Sequence, residues 1–346
     1  MREPVPSVVY GLGFSWRKRA LVRNFLPGCQ VLFVRSLKQI PIGVTVALWA
    51  SGPHRDVDWA AWQATPLWLE DGFLRSVGLG ADLVRPLSWV VDTRGMYYDA
   101  TRPSDLEHLL QTTDFDVPIQ ARANALRQAL VRSGLTKYNV GQQPWRRPDA
   151  VAQRGQAVVL VPGQVETDAS LRKGAPGIHT NMGLLQAARA AHPDAWLVYK
   201  PHPDVVAGLR GQGIGEAAAE QWCDEVVLDA PMGPMLEAVD QVHVMTSLAG
   251  FEALLRGKPV TCHGLPFYAG WGLTTDALPT PRRGRHLDLD ALVAGALVLY
   301  PRYASLATGK PCTVEQAMAE LLVWRARSKP ALPWWRRWLR PLIRHS

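Results

Sequence analysis

The chain has 346 residues, of which 47% are apolar and 20% charged, and it carries a formal net charge of +8. That length exceeds what one hydrophobic core usually holds, so two domains of roughly 150 residues are expected, and the apolar fraction excludes a disordered chain. The positive excess favours an acidic partner: nucleic acid, anionic lipid, or a substrate bearing phosphate and carboxylate. Cys29, Cys223, Cys262 and Cys312 stand far apart, so neither a zinc site nor a disulfide framework is signalled. No apolar run approaches the roughly 20 residues of a membrane-spanning helix, and no signal peptide is visible, which predicts a cytoplasmic protein.

Taken in order, the first half alternates strand and helix. Ser7–Phe14 runs from an apolar strand into glycines, Trp16–Phe25 has helical spacing, and Gln30–Val34 is the next strand. Gly43–Trp49 follows, then a helix around Asp56–Gln63 and a strand over Pro66–Leu69. This βαβ spacing argues for a parallel, doubly wound sheet. Glu70-Asp71-Gly72 comes at the carboxyl edge of that strand, where open α/β sheets place their chemistry. One carboxylate held beside the other has a raised pKa and suits general acid/base work; the alternative is a turn with a solvated Glu and a capping Asp. Leu87–Tyr98 alternates as a hairpin would, with Asp92–Gly95 as its turn. Ser104 opens a helix through Leu110, and a second helix spans Pro118–Ser133. The segment 141–152, rich in Gly, Pro and Arg, breaks all periodicity and is the expected hinge between domains 1–140 and 153–328.

The second half restarts the pattern. Ala157–Val161 is an apolar strand ending in Pro162-Gly163-Gln164, with Asp168 the best-placed carboxylate of the loop beyond it, or the start of a plain turn. Ala195–Lys200 is a strand that releases Pro201-His202-Pro203, and the two prolines present His202 in a stiff loop. Val242–Met245 is a buried strand leading through Thr246 and Ser247 into a helix, Leu248–Leu255. Small hydroxyl residues at such a helix start leave backbone N–H groups ready for an anion. Glu252, one turn in, is placed for a ribose hydroxyl; the alternative is an ordinary capped helix with a solvated Glu. Tyr268 and Trp271, set among glycines, either stack on a sugar or base or pack beneath their own loop. The tail 329–346 alternates tryptophans and arginines as a basic amphipathic helix does, which suits an anionic membrane surface.

Five blocks, Glu70–Gly80, Val161–Ser170, Tyr199–Asp204, Thr246–Gly257 and Gly264–Thr274, together resemble the capsule polysaccharide β-Kdo transferase family of Gram-negative capsule assembly. The resemblance implies an α/β fold of the GT-B-like kind, two Rossmann-like domains with parallel sheets facing a central cleft. It implies a retaining glycosyltransferase that moves Kdo from CMP-β-Kdo to a (lyso)phosphatidylglycerol-linked Kdo primer, without a cofactor or metal. By the same resemblance Asp168 is the candidate nucleophile, and Glu70 and Asp71 the acid/base pair. Gln164, Lys200, His202, Pro203, Thr246, Ser247, Gly250 and Glu252 are the residues for CMP-Kdo. Arg75, Ser76, Tyr268 and Trp271 are those for the acceptor or sugar. Expected partners are the nucleotide sugar, an anionic glycolipid, the inner-membrane surface to which the protein is peripheral, and the capsule export complex, with no nucleic acid. A different class of reading is a non-catalytic glycolipid-binding or scaffold subunit that recruits the glycolipid to the export machinery through its basic faces and tail.

Overall fold

The computed structural model describes residues 6–54, 56–78, 84–141 and 143–327, so the expected tail at 329–346 lies outside the described residues. The elements of the first half are β1 (Val8–Leu12), α1 (Trp16–Phe25), β2 (Gln30–Val34), β3 (Thr45–Trp49), β4 (Thr65–Asp71), β5 (Ser88–Asp92), α2 (Asp105–Thr112) and α3 (Val117–Ser133). Those of the second are α4 (Asp149–Gln153), β6 (Val158–Pro162), α5 (Ala169–Gly174), α6 (Asn181–Ala191), β7 (Trp196–Lys200), α7 (Pro203–Val206), β8 (Glu225–Val226) and α8 (Met232–Ala238). They continue with β9 (Gln241–Val244), α9 (Leu248–Leu255), β10 (Val260–Cys262), β11 (Thr275–Asp276), α10 (Leu289–Val293), β12 (Arg302–Ala304), β13 (Pro311–Cys312) and α11 (Val314–Arg327).

Two sheets result. The second has the order β11-β10-β9-β6-β7-β8 and is parallel throughout. Its central strand β6, Val158–Pro162, is buried at every position, as expected of a strand covered by helices on both faces. The first sheet has the order β13-β12-β5-β4-β3-β1-β2 and is mixed rather than parallel. β1 to β4 run parallel, whereas β5 is antiparallel to β4 and to β12.

Three expectations are corrected by this topology. Leu87–Tyr98 is not a hairpin: β5 pairs with β4 and β12, and the residues after it turn around the Asp92 carboxylate, which accepts from the amides of Arg94 (3.0 Å), Gly95 (3.0 Å) and Asp105 (2.9 Å). Asp56–Gln63 forms turns, not a helix, with Asp58 capping Ala60 and Ala61 and Gln63 at a positive φ of 48°. The chain also does not stay in the second sheet up to residue 328, because β12 and β13 return to the first. The segment expected as a hinge lies against the second sheet's elements: Gln143 donates to the Asp229 carbonyl, Trp145 to Glu225, and Arg147 to Asp240.

One apolar core runs through both halves, including Leu48, Trp68 and Val90 from the first sheet and Leu160, Val242 and Phe251 from the second. Aromatic rings cross between them: Phe267 stacks on Phe73 at 4.7 Å and meets Tyr97 edge-on at 5.9 Å. Polar links reinforce the junction. Arg282 and Arg283 both grip Glu107 of α2, at 2.7 and 3.1 Å, and the Lys137 amide donates to Glu252 Oε1 at 2.8 Å.

Candidate active site

Each functional side chain is set by the end of a strand. In a doubly wound sheet the carboxyl edge is where loops meet and backbone groups are free for ligands. β4 ends in Glu70 and Asp71, β6 in Pro162-Gly163-Gln164, β7 in Lys200 before His202, and β9 in the turn Met245–Ser247 that enters α9. These edges surround one cavity of about 750 Å³, lined among others by Glu70, Asp71, Asp168, His202, Ser247 and Glu252. That volume suits a nucleotide sugar.

On the first-sheet wall the two adjacent carboxylates are held differently. Asp71 is fixed by Arg75, whose Nε lies 2.6 Å from Oδ2, while Arg75 also donates to Ser76 Oγ at 2.9 Å. Glu70 accepts the Asp71 amide at its Oε1 at 3.1 Å and is hydrogen-bonded by the Ser51 side chain, while its buried Oε2 has no hydrogen-bond partner among the described residues. Burial, then the charge of Asp71, raise the Glu70 pKa to about 7, against the pull of Lys18. Lys18 reaches in from α1 with its ammonium 3.3 Å from the centre of the Trp49 ring, and burial lowers its pKa despite Glu70 and Asp71.

The second-sheet wall is built from helix starts. Asp168 caps α5, its Oδ1 accepting from the Ser170 amide at 3.2 Å, and it stays exposed to the cavity. His202 precedes α7; its Nδ1 accepts from the Asp204 amide at 3.1 Å, which leaves the proton of the neutral ring on Nε2. Burial pulls the His202 pKa down to about 4, more than the Asp168 carboxylate lifts it, so the ring is a neutral donor at pH 7. Gln164 clamps the β9 turn, donating to Thr246 Oγ1 at 3.0 Å and accepting from the Thr246 amide at 2.9 Å. Ser247 Oγ accepts from Ala249 at 3.2 Å, so the first-turn amides of Ser247 and Leu248 are the ones left for an anion. Glu252 lies deeper, accepting the Lys137 amide, and burial raises its pKa to about 7.

Of the residues singled out from sequence, Glu70, Asp71, Arg75, Gln164, Asp168, Lys200, His202, Pro203, Thr246, Ser247 and Glu252 line this single cavity. Four do not. Ser76 is fully buried behind Arg75, where its hydroxyl donates to the Gly78 carbonyl. Gly250 gives its amide to the Ser247 carbonyl and packs on Tyr268, whose ring leaves no room for a Cβ. Tyr268 and Trp271 are 0% exposed. Tyr268 donates to the Ser247 carbonyl and Trp271 Nε1 to the Phe267 carbonyl at 2.8 Å, so both rings are core and present no face to a sugar. Gly270 and Gly272, at φ of 83° and 81°, let the chain wrap around them. Trp271→Ala is therefore expected to cost about 3–5 kcal/mol of stability, as truncating a buried aromatic does. Denaturant unfolding checks this; unchanged stability with weakened sugar binding would instead mark a stacking residue.

Sequence reasoning missed Lys18, Lys137, Tyr97, Tyr98 and Arg210, all of which line the cavity. Lys18 is the middle one of three adjacent cations, Arg17-Lys18-Arg19, and nothing local sets it apart from its neighbours. Lys137 sat in the connection after α3; burial opposes its charge, but the tyrosines and the carboxylates Asp71 and Glu70 around it hold its pKa above the ordinary value. A lysine just before an expected interdomain boundary was the available signal.

A parallel sheet and a mixed one sharing a cleft rimmed by strand ends define a GT-B-like α/β protein. Residues 53–139 and 129–303 match the model of the capsule polysaccharide biosynthesis protein family, and the chain belongs to that family. It is 43% identical over 323 residues to the capsule polysaccharide modification protein LipA of Neisseria meningitidis serogroup A, covering 91% of this chain and 45% of that one. It is 44% identical over 269 residues to the lipopolysaccharide-processing protein LpsZ of Rhizobium meliloti, covering 76% and 60% respectively. The chain thus spans about half the length of the curated relatives it matches. Among solved structures it is similar to two from Thermosulfurimonas dismutans. The KpsC β-Kdo 2,7 transferase is 40% identical with a TM-score of 0.74 and covers 91% of this chain and 98% of that one. The KpsC β-Kdo 2,4 transferase is 34% identical with a TM-score of 0.80 and covers 92% and 99%.

Proposed function

We propose that the protein is a retaining glycosyltransferase that moves Kdo from CMP-β-Kdo to a lipid-linked Kdo primer in capsule assembly. The observation that carries this is the meeting, across one cavity, of the Glu70–Asp71 wall with Asp168, His202 and the Ser247–Leu248 amides. The likeness to the two KpsC Kdo transferases supports the choice of sugar.

In this reading the CMP phosphate rests on the amides that open α9 and on His202 Nε2–H, which stabilise the departing phosphate oxygen as charge develops. The exposed Asp168 carboxylate attacks the anomeric carbon from the face opposite CMP; the bond to CMP breaks and a glycosyl ester forms. Glu70 then takes the proton of the acceptor hydroxyl, whose oxygen displaces Asp168. Two inversions give net retention. Glu70 suits the base role better than Asp71, because the Asp71 carboxylate is engaged by Arg75 at 2.6 Å while burial brings the Glu70 pKa to about 7. Arg75, Lys18 and Lys200 offer cations for a donor that carries both a phosphate and a sugar carboxylate.

The direct test is to incubate purified protein with CMP-Kdo and a synthetic Kdo-primed glycolipid. CMP release together with an extended glycolipid is expected. Binding of the glycolipid with no CMP release would favour the scaffold reading.

A further inference from the structure

The net charge of the molecule is not spread over it. Residues 6–54 contain Arg17, Lys18, Arg19, Arg23, Arg35 and Lys38 and no Asp or Glu, in a chain whose total excess is +8. In the fold this stretch is the outer end of the first sheet: β1, α1, the edge strand β2 and β3. Lys18 turns inward over Trp49, and Arg19 packs over Phe33 while donating to the Phe14 carbonyl. The other four point elsewhere. Trp16, Ala20 and Arg23 are exposed at i, i+4 and i+7, one stripe along α1, with Arg17 beside Trp16. Trp16 is 75% exposed, and the Arg17 guanidinium lies 5.2 Å from its ring centre.

This stripe adjoins the cavity: Trp16, Arg17, Ala20 and Leu21 form part of its lining. Because Leu12 pairs with Val34, the start of α1 and the exposed Arg35 and Lys38 leave the sheet at its carboxyl edge, the edge at which β4 presents Glu70 and Asp71. A stretch with six cations, no acidic residue and an exposed tryptophan matches a layer of anionic headgroups. The indole suits the interface, and each cation near such a surface adds to the attraction.

We propose that this rim seats the protein on an anionic phospholipid bilayer, with Trp16 in the headgroup layer and Arg17, Arg23, Arg35 and Lys38 over the lipid phosphates. The cavity mouth then opens at the lipid surface. Only the purpose of that placement, admitting a glycolipid acceptor, rests on the transferase reading; the binding does not.

The test uses the full chain with vesicles of phosphatidylcholine alone or mixed with phosphatidylglycerol, read by co-sedimentation. The protein is expected to bind the mixed vesicles, to ignore phosphatidylcholine, and to release as salt rises. The triple variant Arg23→Glu, Arg35→Glu, Lys38→Glu should bind at least about tenfold more weakly, and Trp16→Ala should weaken binding as well. None of the three reversed residues lines the cavity, so CMP affinity of the triple variant should match the parent and report an intact fold. A second full-length variant, Arg336→Glu, Arg337→Glu, Arg340→Glu, separates the rim from the tail. The proposal is overturned if the parent does not bind mixed vesicles, if the rim variant binds as the parent does, whatever the tail variant does, or if single-stranded nucleic acid competes the vesicles away at equal phosphate. A protein inactive as a transferase that still binds through the rim would leave this proposal standing and end the other.

Discussion

Asp168→Asn is expected to lower transfer by on the order of 10⁴-fold or more while CMP affinity stays within a factor of a few, since the change removes a nucleophile rather than a binding contact. The fold is expected to survive. Asp168 caps α5 through Oδ1, which accepts from the Ser170 amide, and an Asn side-chain carbonyl caps equally well. The loss should fall on the first half-reaction, so the burst of CMP expected of the parent with donor alone should vanish. Rapid-quench measurement of CMP with and without acceptor checks this, and a variant with a normal burst would remove Asp168 from the chemistry.

Glu70→Gln should behave differently at the same magnification. The donor-only burst should persist, because Glu70 acts after CMP has left, whereas turnover with acceptor should fall by roughly 10²–10⁴-fold. The parent's kcat/KM should rise with pH through an acid limb near 7, the value to which burial and Asp71 bring Glu70, and the residual activity of the variant should lack that limb. Stability carries the opposite sign. The folded pKa lies above the ordinary 4.5, so the native state holds the proton more tightly, and this contribution is complete below about 4.5 and lost as pH rises through 7. Replacing the carboxylate by a neutral amide should therefore leave stability at pH 4 nearly unchanged. At pH 8 it should raise stability by up to about 3 kcal/mol. Denaturant melts of both proteins at the two pH values decide it; a variant less stable than its parent at pH 8 would show that Glu70 is not desolvated in the folded protein.

Much of this site could be read from the sequence because its parts are local. Prolines on both sides of His202, an Asp before a helix, and Thr246-Ser247 between an apolar strand and an apolar helix each describe a short piece of backbone, and such pieces form where their own residues dictate. What failed was non-local. Pro66–Leu69 announced a strand, but not that its partner β5 would run antiparallel and turn the first sheet into a mixed one. Arg302–Ala304 and Pro311–Cys312 are too short to show any alternation, so nothing in them signalled a return to the first sheet.

The aromatic loop shows the limit most plainly. Tyr268 and Trp271 among glycines fit a sugar platform and a wrapped core turn equally well from sequence, because both need large rings and glycines at positive φ. The full burial of both rings, with Gly250 packed on Tyr268 and Trp271 Nε1 bonded to the Phe267 carbonyl, separates the two. Lys18 illustrates the converse. It is one of three adjacent cations, and its neighbours do face solvent or a ring, but the helical step turns this one toward Glu70 and Asp71.

The stereochemistry of the product tests the account most directly. With CMP-β-Kdo as donor and a Kdo-primed glycolipid as acceptor, the anomeric configuration of the newly added sugar is read by NMR. Two displacements at one carbon, the first by Asp168 and the second by the acceptor oxygen, predict a β-linked product. An α-linked product would mean a single direct attack with no enzyme-bound sugar, and would contradict the role given to Asp168 and the cavity built around it.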